Sequence, residues 1–185
     1  MKLFLDIVFL IIIAYLSIQF VYVLIKMKQQ IIYPVTNEEL SSIRIHPEKP
    51  VDAPTYSKHK LGITFYSAMI LFVLIVYFLG LYFDIFNFSF YILLILPFTY
   101  LHNVLNVFAL TKDGILIGVR FIAWNKIKSF DFIPIDINHK YYGFSKEANN
   151  GYELKVRSNG MPISCIITSE KMKENLTNQV NEYVK

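Results

Sequence analysis

Four side chains able to hydrogen-bond or carry a proton, Thr99, His102, Asn103 and Asn106, fall at i, i+3, i+4 and i+7 inside a long apolar stretch. At about 3.6 residues per turn, that spacing puts them on one face of a helix. A second polar face, Tyr15, Gln19 and Tyr22 at i, i+4 and i+7, lies in an earlier apolar stretch. Counting back from Lys26 and Lys112 sets Gln19 and the His102 to Asn106 group at the same depth. Polar side chains in an apolar medium turn toward one another or toward water. Gln19, Thr99, His102, Asn103 and Asn106 therefore suit interhelical hydrogen bonds of about 0.6 kcal/mol each, or the lining of a polar cavity for a lipid, a peptide or a proton. His102 has no second titratable partner within these stretches, which disfavours a proton relay.

Signatures of catalysis are missing. HExxH, GxSxG and phosphate-loop patterns do not occur, and seven glycines are too few for a phosphate-cradling loop. Asp6 and Asp84 sit at the ends of apolar stretches and read as structural, and His139, Lys140, Tyr141 and Tyr142 read as a solvated loop. Cys165 is the single cysteine, so no intrachain disulfide forms, and no Cys/His spacing supports a structural zinc site. Its apolar surroundings make it a small buried strand residue in a reducing, cytosolic setting. We expect no catalytic residue, no cofactor and no metal.

Three apolar runs must position the polar faces: Ile7 to Ile25, Ile63 to Phe83 and Phe88 to Ala109. Each has roughly 20 residues, enough to span a ~30 Å hydrocarbon core. Only Asp84, Ile85, Phe86 and Asn87 separate the second run from the third, so these two form an antiparallel hairpin. Composition agrees, with 55% hydrophobic and 17% charged residues, against about 25% charged in soluble domains. The first run is too long for a signal-peptide core and lacks a small-x-small cleavage pattern after it, so it reads as a retained helix.

Positive charge sets the orientation. Residues 26 to 61 carry Lys26, Lys28, Arg44, Lys49, Lys58 and Lys60, the hairpin tip carries none, and eleven lie from Lys112 onward. Basic segments stay in the cytoplasm. The sequence thus implies a multi-pass protein of the cell membrane with its N-terminus outside and its C-terminus cytoplasmic. The net charge of +4 reports this topology and contact with anionic lipid rather than nucleic acid.

The expected divisions are a first transmembrane helix at 1–26, a cytoplasmic linker at 27–61, the transmembrane hairpin at 62–109 and a cytoplasmic domain at 110–185. In the linker, Thr36 caps a short helix with Glu38 and Glu39 in its first turn, and Pro47, Pro50 and Pro54 favour an extended strap. Beyond the hairpin the period changes. Lys112-Asp113-Gly114 turns between Val107–Thr111 and Ile115–Val119, and runs at 120–124, 127–137, 152–157 and 161–168 complete five or so antiparallel strands. The boundary near 106 to 110 is ambiguous, since Val107 to Thr111 suits a strand as well as a helix end. Met172, Leu176, Gln179, Val180 and Tyr183 then form one stripe of a final helix that must pack on the sheet. The fold class is three transmembrane α-helices plus a small α+β domain.

Leu110-Thr111-Lys112-Asp113-Gly114-Ile115, then Ile122-Ala123-Trp124-Asn125-Lys126-Ile127-Lys128-Ser129, then the strand pair ending at Thr168 and the helix to Val184 carry a resemblance. This segment resembles the pleckstrin-homology-like (PH-like) domain of small bacterial multi-span membrane proteins. The resemblance covers about 40% of the chain and implies an antiparallel PH-like sheet with a C-terminal helix, in which Gly114 permits the tight turn and Trp124 fills the small core. Related proteins are uncharacterised or contribute to envelope stress tolerance and protection from antimicrobial peptides. The basic phosphoinositide-binding loop of eukaryotic relatives is missing, and Lys126 and Lys128 alone do not make a headgroup pocket. The expected role is non-catalytic: the domain binds a protein partner or the inner leaflet, with immunity to a membrane-active peptide or toxin as its specific form. An accessory subunit of a larger transporter or secretion complex is the alternative. Expected partners are the lipid bilayer and either another protein or a second copy of the chain, with no nucleic acid.

Overall fold

A computed structural model describes residues 2–83, 88–158, 160 and 162–183. The expected hairpin tip, Asp84 to Asn87, lies outside the described residues, as do Met161 and Val184. Helix α1 (Lys2–Lys26) is followed by strand β1 (Ile31–Tyr33), helix α2 (Asn37–Ser41) and strand β2 (Ile43–Arg44). Two further helices, α3 (Tyr56–Tyr82) and α4 (Phe88–Tyr100), lead into β3 (Phe108–Thr111), β4 (Gly114–Ile117) and β5 (Arg120–Ala123). Then come β6 (Ile127–Pro134), α5 (Lys146–Asn149), β7 (Tyr152–Ser158), β8 (Ile163–Ile167) and α6 (Glu170–Tyr183).

Two of these helices are long and apolar enough to cross a membrane, and only 22% and 17% of the most apolar windows of α1 and α3 are buried. Their exposed residues are large and apolar, including Ile11, Ile18, Phe65, Leu71 and Phe78. Aromatic contacts tie three helices at two levels. Phe9 stacks on Tyr77 and meets Tyr91, while Phe20 stacks on Tyr66, whose edge meets Phe98. At the first level the Tyr91 hydroxyl donates to the Asp6 carboxylate, which ties α4 to α1.

The third apolar run departs from its expected form. Helix α4 has 13 residues and Pro97 within it, and a single 3-10 turn, Leu101–Asn103, follows. The remainder, expected to be helical to Ala109, enters the sheet instead: Phe108 pairs with Ile117 and Leu110 with Ile115. Strand β3 is apolar on both sides because both of its faces are covered, so its composition matches that of a span.

The β-domain consists of two four-stranded antiparallel sheets, β1-β3-β4-β5 and β2-β8-β7-β6. Alternation explains the first sheet. Phe108, Leu110, Ile115, Ile117 and Ile122 pack toward the second sheet with Leu154, Val156 and Ile167. Ala109, Leu116 and Phe121, on the opposite face, join one apolar cluster with Phe20, Val23, Tyr66 and Leu105. One sheet therefore lies between the other sheet and the helix ends. Gly114 is required where β5 passes, because a β-carbon there would meet the Ile122 carbonyl oxygen at 2.1 Å.

The linker is part of this domain rather than a tether. Strand β1 pairs with β3, and β2 pairs with β8. These strands of three and two residues are too short to leave a periodic signal. The Thr36 cap forms as expected, with Thr36 Oγ1 accepting from the Glu39 amide and the Glu39 carboxylate accepting from the Thr36 amide. Around Pro47 the strap is a closed turn, with the Lys49 amide donating to His46 O at 3.2 Å; the chain is hydrogen-bonded as it leaves, with Val51 N donating to Ile43 O and Asp52 N to Asn106 O at 2.9 Å each. Met172, Leu176 and Val180 of α6 are buried in the two-sheet core. Trp124 lies half-buried at the edge of that core, its ring stacked on Tyr183 and its indole N–H donating to Thr111 O and Lys112 O.

Candidate functional site

The end of α1 is fixed to the first sheet by a charge and two rings. Lys26, at the last turn, is buried; its ammonium lies 2.5 Å from Asp113 Oδ2 and 5.0 Å from the Phe121 ring centroid. Gln29 donates to the same Asp113 oxygen at 2.9 Å. These two donors, Lys26 first, hold the Asp113 carboxyl below its ordinary range. Tyr22 meets Phe121 edge-on at 5.4 Å.

Beside this joint a cavity of about 500 Å³ opens between the helices and the β-domain. Tyr15, Leu16 and Gln19 of α1, Tyr66 of α3 and Phe98 of α4 form its helical side. Arg120, Lys126 and Ser158 face them from the β-domain. Arg120 opens β5 just after Gly118, whose φ of 58° turns the chain between β4 and β5. Lys126 ends the 3-10 turn Trp124–Lys126 and is exposed. The cavity thus has a largely aromatic and aliphatic helical wall, and on the β-domain side two cations set among Val119, Phe121 and Ile122.

Among the described side chains of the expected polar cluster, only Gln19 lines this cavity. Thr99 donates its hydroxyl to Leu96 O at 2.7 Å, back along its own helix. Asn103 and Asn106 line a separate cleft of about 340 Å³ with His46, Lys49 and Asp52. There Asn106 Nδ2 donates to Pro50 O at 2.6 Å and to Asp52 Oδ2 at 3.2 Å, while Asn103 O lies 3.2 Å from His46 Nε2. The helix stops at Tyr100, so the i, i+3, i+4, i+7 relationship does not extend to Asn106. His102 belongs to the 3-10 turn, and its side chain lies outside the description.

A second charged group replaces the expected solvated loop. Glu153 on β7 is buried, with Oε1 2.7 Å from Lys140 Nζ and Oε2 3.1 Å from His139 Nε2. Burial pushes its carboxyl upward, but Lys140, Ser164 and His139 together hold it below the ordinary value. Both oxygens face loop residues, so the group pins residues 136–150 onto the second sheet. Cys165 is fully buried in β8, as expected, and burial pushes its thiol well up, leaving it unreactive. Among the described residues, no three His, Cys, Asp or Glu side chains gather as a metal site.

Sequence reasoning missed Arg120. Its signal was a lone arginine within the otherwise apolar pair of strands from Ile115 to Ala123. Comparison with protein families, with characterised proteins and with solved structures finds no match to this chain.

Proposed function

We propose that the protein is a non-catalytic, three-span protein of the cell membrane, with its N-terminus outside and a PH-like domain held on the cytoplasmic ends of its helices. The observation carrying this reading is the first sheet, covered on one face by the second sheet and on the other by the ends of α1 and α3. The segment leading into α3 and the segment that follows α4 are joined at the same domain by the Asp52 to Val107 bridge. If α3 crosses a membrane, α4 must bring the chain back. Counting α4 with its 3-10 turn gives about 26 Å of helix, near the thickness of a hydrocarbon core. Two packed antiparallel sheets with a C-terminal helix support the PH-like resemblance.

Such a domain moves with its spans and suits a receptor for a protein partner or for the inner leaflet. Its specific form in this proposal is self-protection against a membrane-active peptide or toxin. A second reading, an accessory subunit of a larger membrane complex, is favoured by Ile137, Tyr142 and Phe144, which are large, apolar and exposed on one loop of the β-domain. Photo-reactive residues at Phe86 and Tyr142 in intact cells separate the two. Capture of an added peptide at Phe86, with raised peptide sensitivity on deletion of the gene, supports self-protection. A stoichiometric protein captured at Tyr142 supports the subunit. Unchanged sensitivity with no capture at either position overturns both.

A further inference from the structure

The two sheets end in unequal edges. Strands β1, β2 and β5 have three, two and four residues, whereas β6, at the edge of the second sheet, has eight. Its inner side pairs with β7 in a register that aligns Phe130 with Val156 and Phe132 with Leu154. The Ile135 amide donates to Gly151 O at 3.0 Å, one step further along that register. Hydrogen-bonded and non-hydrogen-bonded pairs alternate in an antiparallel ladder, so Ile133 and Asp131 also direct their amide and carbonyl groups to β7, while Phe132 and Phe130 direct theirs outward. Pro134, which has no amide, takes the next outward position, where none is needed. Among the described residues nothing pairs with the outward groups of Phe130 and Phe132. Their rings, 6.2 Å apart and edge to face, lie half-buried at the margin of the two-sheet core. A long edge with free backbone groups and apolar side chains is a template for another strand.

The orientation of this edge selects the occupant. The first sheet lies between the second sheet and the helix ends, so the sheets stack along the helices and their edges point sideways, in the plane of the membrane. A second copy in the same membrane presents the same edge at the same height. The two-fold axis that joins two edges antiparallel runs perpendicular to the sheet, hence along the membrane normal, which leaves both copies inserted the same way. Charge agrees with self-pairing centred on either phenylalanine: Asp131 then faces Ser129 or Ile133 of the other copy, never its own counterpart. We propose that β6 pairs antiparallel with β6 of a second copy, joining the two outer four-stranded sheets into one of eight strands. This inference rests on the membrane placement proposed above, and confinement to one membrane raises the effective concentration of the edges.

The test uses the full chain in isolated cell membranes, with cysteine placed at Asp131, whose side chain is 45% exposed, and joined by a short bismaleimide. Strands about 4.8 Å apart and a rise of about 3.4 Å per residue bring the two cysteines within roughly 9 Å for pairing centred on either ring. Cys165 is fully buried and does not compete. Asp131→Cys is expected to give a product of twice the chain's mass, and Glu174→Cys, exposed on α6, should give at least ten-fold less. Phe130→Pro added to the Asp131→Cys chain removes one outward amide from each copy and none that bonds β7, and should lower the yield about ten-fold while tryptic cleavage after Lys112 stays unchanged. The comparison with Glu174→Cys stands whether or not the proline variant folds. Single-chain mass alone, a product with a different protein, an equal yield at Glu174→Cys, or an undiminished yield in a folded Phe130→Pro variant overturns the proposal; the second outcome assigns the edge to another partner. Extraction of the wild-type protein by alkaline carbonate overturns the membrane placement itself, whereas failure to crosslink in a protein that resists extraction overturns only the pairing.

Discussion

The Lys26 ammonium at the end of α1 and the Asp113 carboxylate in the β3–β4 turn lie 2.5 Å apart, a contact between residues 87 positions distant in sequence. It closes the β-domain onto the first helix. Asp113→Asn should loosen this joint, read as several-fold faster tryptic cleavage after the exposed Lys112 in the folded protein. Asp113 is held below its ordinary carboxyl value in the folded state by Lys26 and Gln29. Its contribution is therefore present above the ordinary carboxylate range and lost as pH falls through the lowered folded value. Hydrogen exchange at the β3–β4 turn, corrected for the intrinsic rate, should accelerate in the wild type on acidification in that range and should not in Asp113→Asn.

Leu116 faces the helix ends from the middle strand and is fully buried. Leu116→Ala should cost about 2–5 kcal/mol of stability, the range for a buried leucine truncated to alanine. Ile18 on α1 is 68% exposed, and Ile18→Ala should change stability by less than about 0.5 kcal/mol. Denaturant titration in detergent, followed by Trp124 fluorescence, compares the two. Equal effects would mean that this face of the sheet is not covered.

Glu153 holds the loop over residues 136–150 through Lys140 and His139. Glu153→Gln should cost about 1–3 kcal/mol, the range for a buried polar group that loses its charged partners. Its lowered folded value means that this stability is present above the ordinary glutamate range and disappears as pH falls through the folded value. Hydrogen exchange in this loop should rise in the variant at neutral pH and rise in the wild type only on acidification.

Asn106 fastens the linker through Pro50 O and Asp52 Oδ2. Asn106→Ala should free the turn around Pro47 and increase proteolysis at Lys49, while leaving the Lys26–Asp113 joint intact, read as unchanged tryptic cleavage after Lys112. Faster cleavage after Lys112 in this variant would contradict the separation of the two polar sites.

The helices and the hairpin turn at Asp113 were legible because α1 and α3 keep long apolar runs and Lys112-Asp113-Gly114 carries turn chemistry. The end of the third run was not, because Phe108 to Thr111 is apolar on both faces in a strand as it would be in a helix. Strands β1 and β2 were hidden by their brevity and take their structure from their partners in β3 and β8. For the site, Gln19, singled out by helical spacing, lines the junction cavity. Asn103 and Asn106 were misplaced once that spacing was carried past Tyr100, and Arg120 reaches the cavity through a turn that brings β5 beside α1.

The central claim is that the helices cross a membrane and carry the β-domain on its cytoplasmic side. Cys165 is the single native cysteine and is fully buried, so a new cysteine reports alone. We would label Asp84→Cys and Glu174→Cys in cells with a membrane-impermeant maleimide, Glu174 being exposed on α6. The account predicts that Asp84→Cys is labelled in intact cells and Glu174→Cys only after the membrane is opened. Labelling of Glu174→Cys in intact cells, or protection of Asp84→Cys until the membrane is opened, would contradict it.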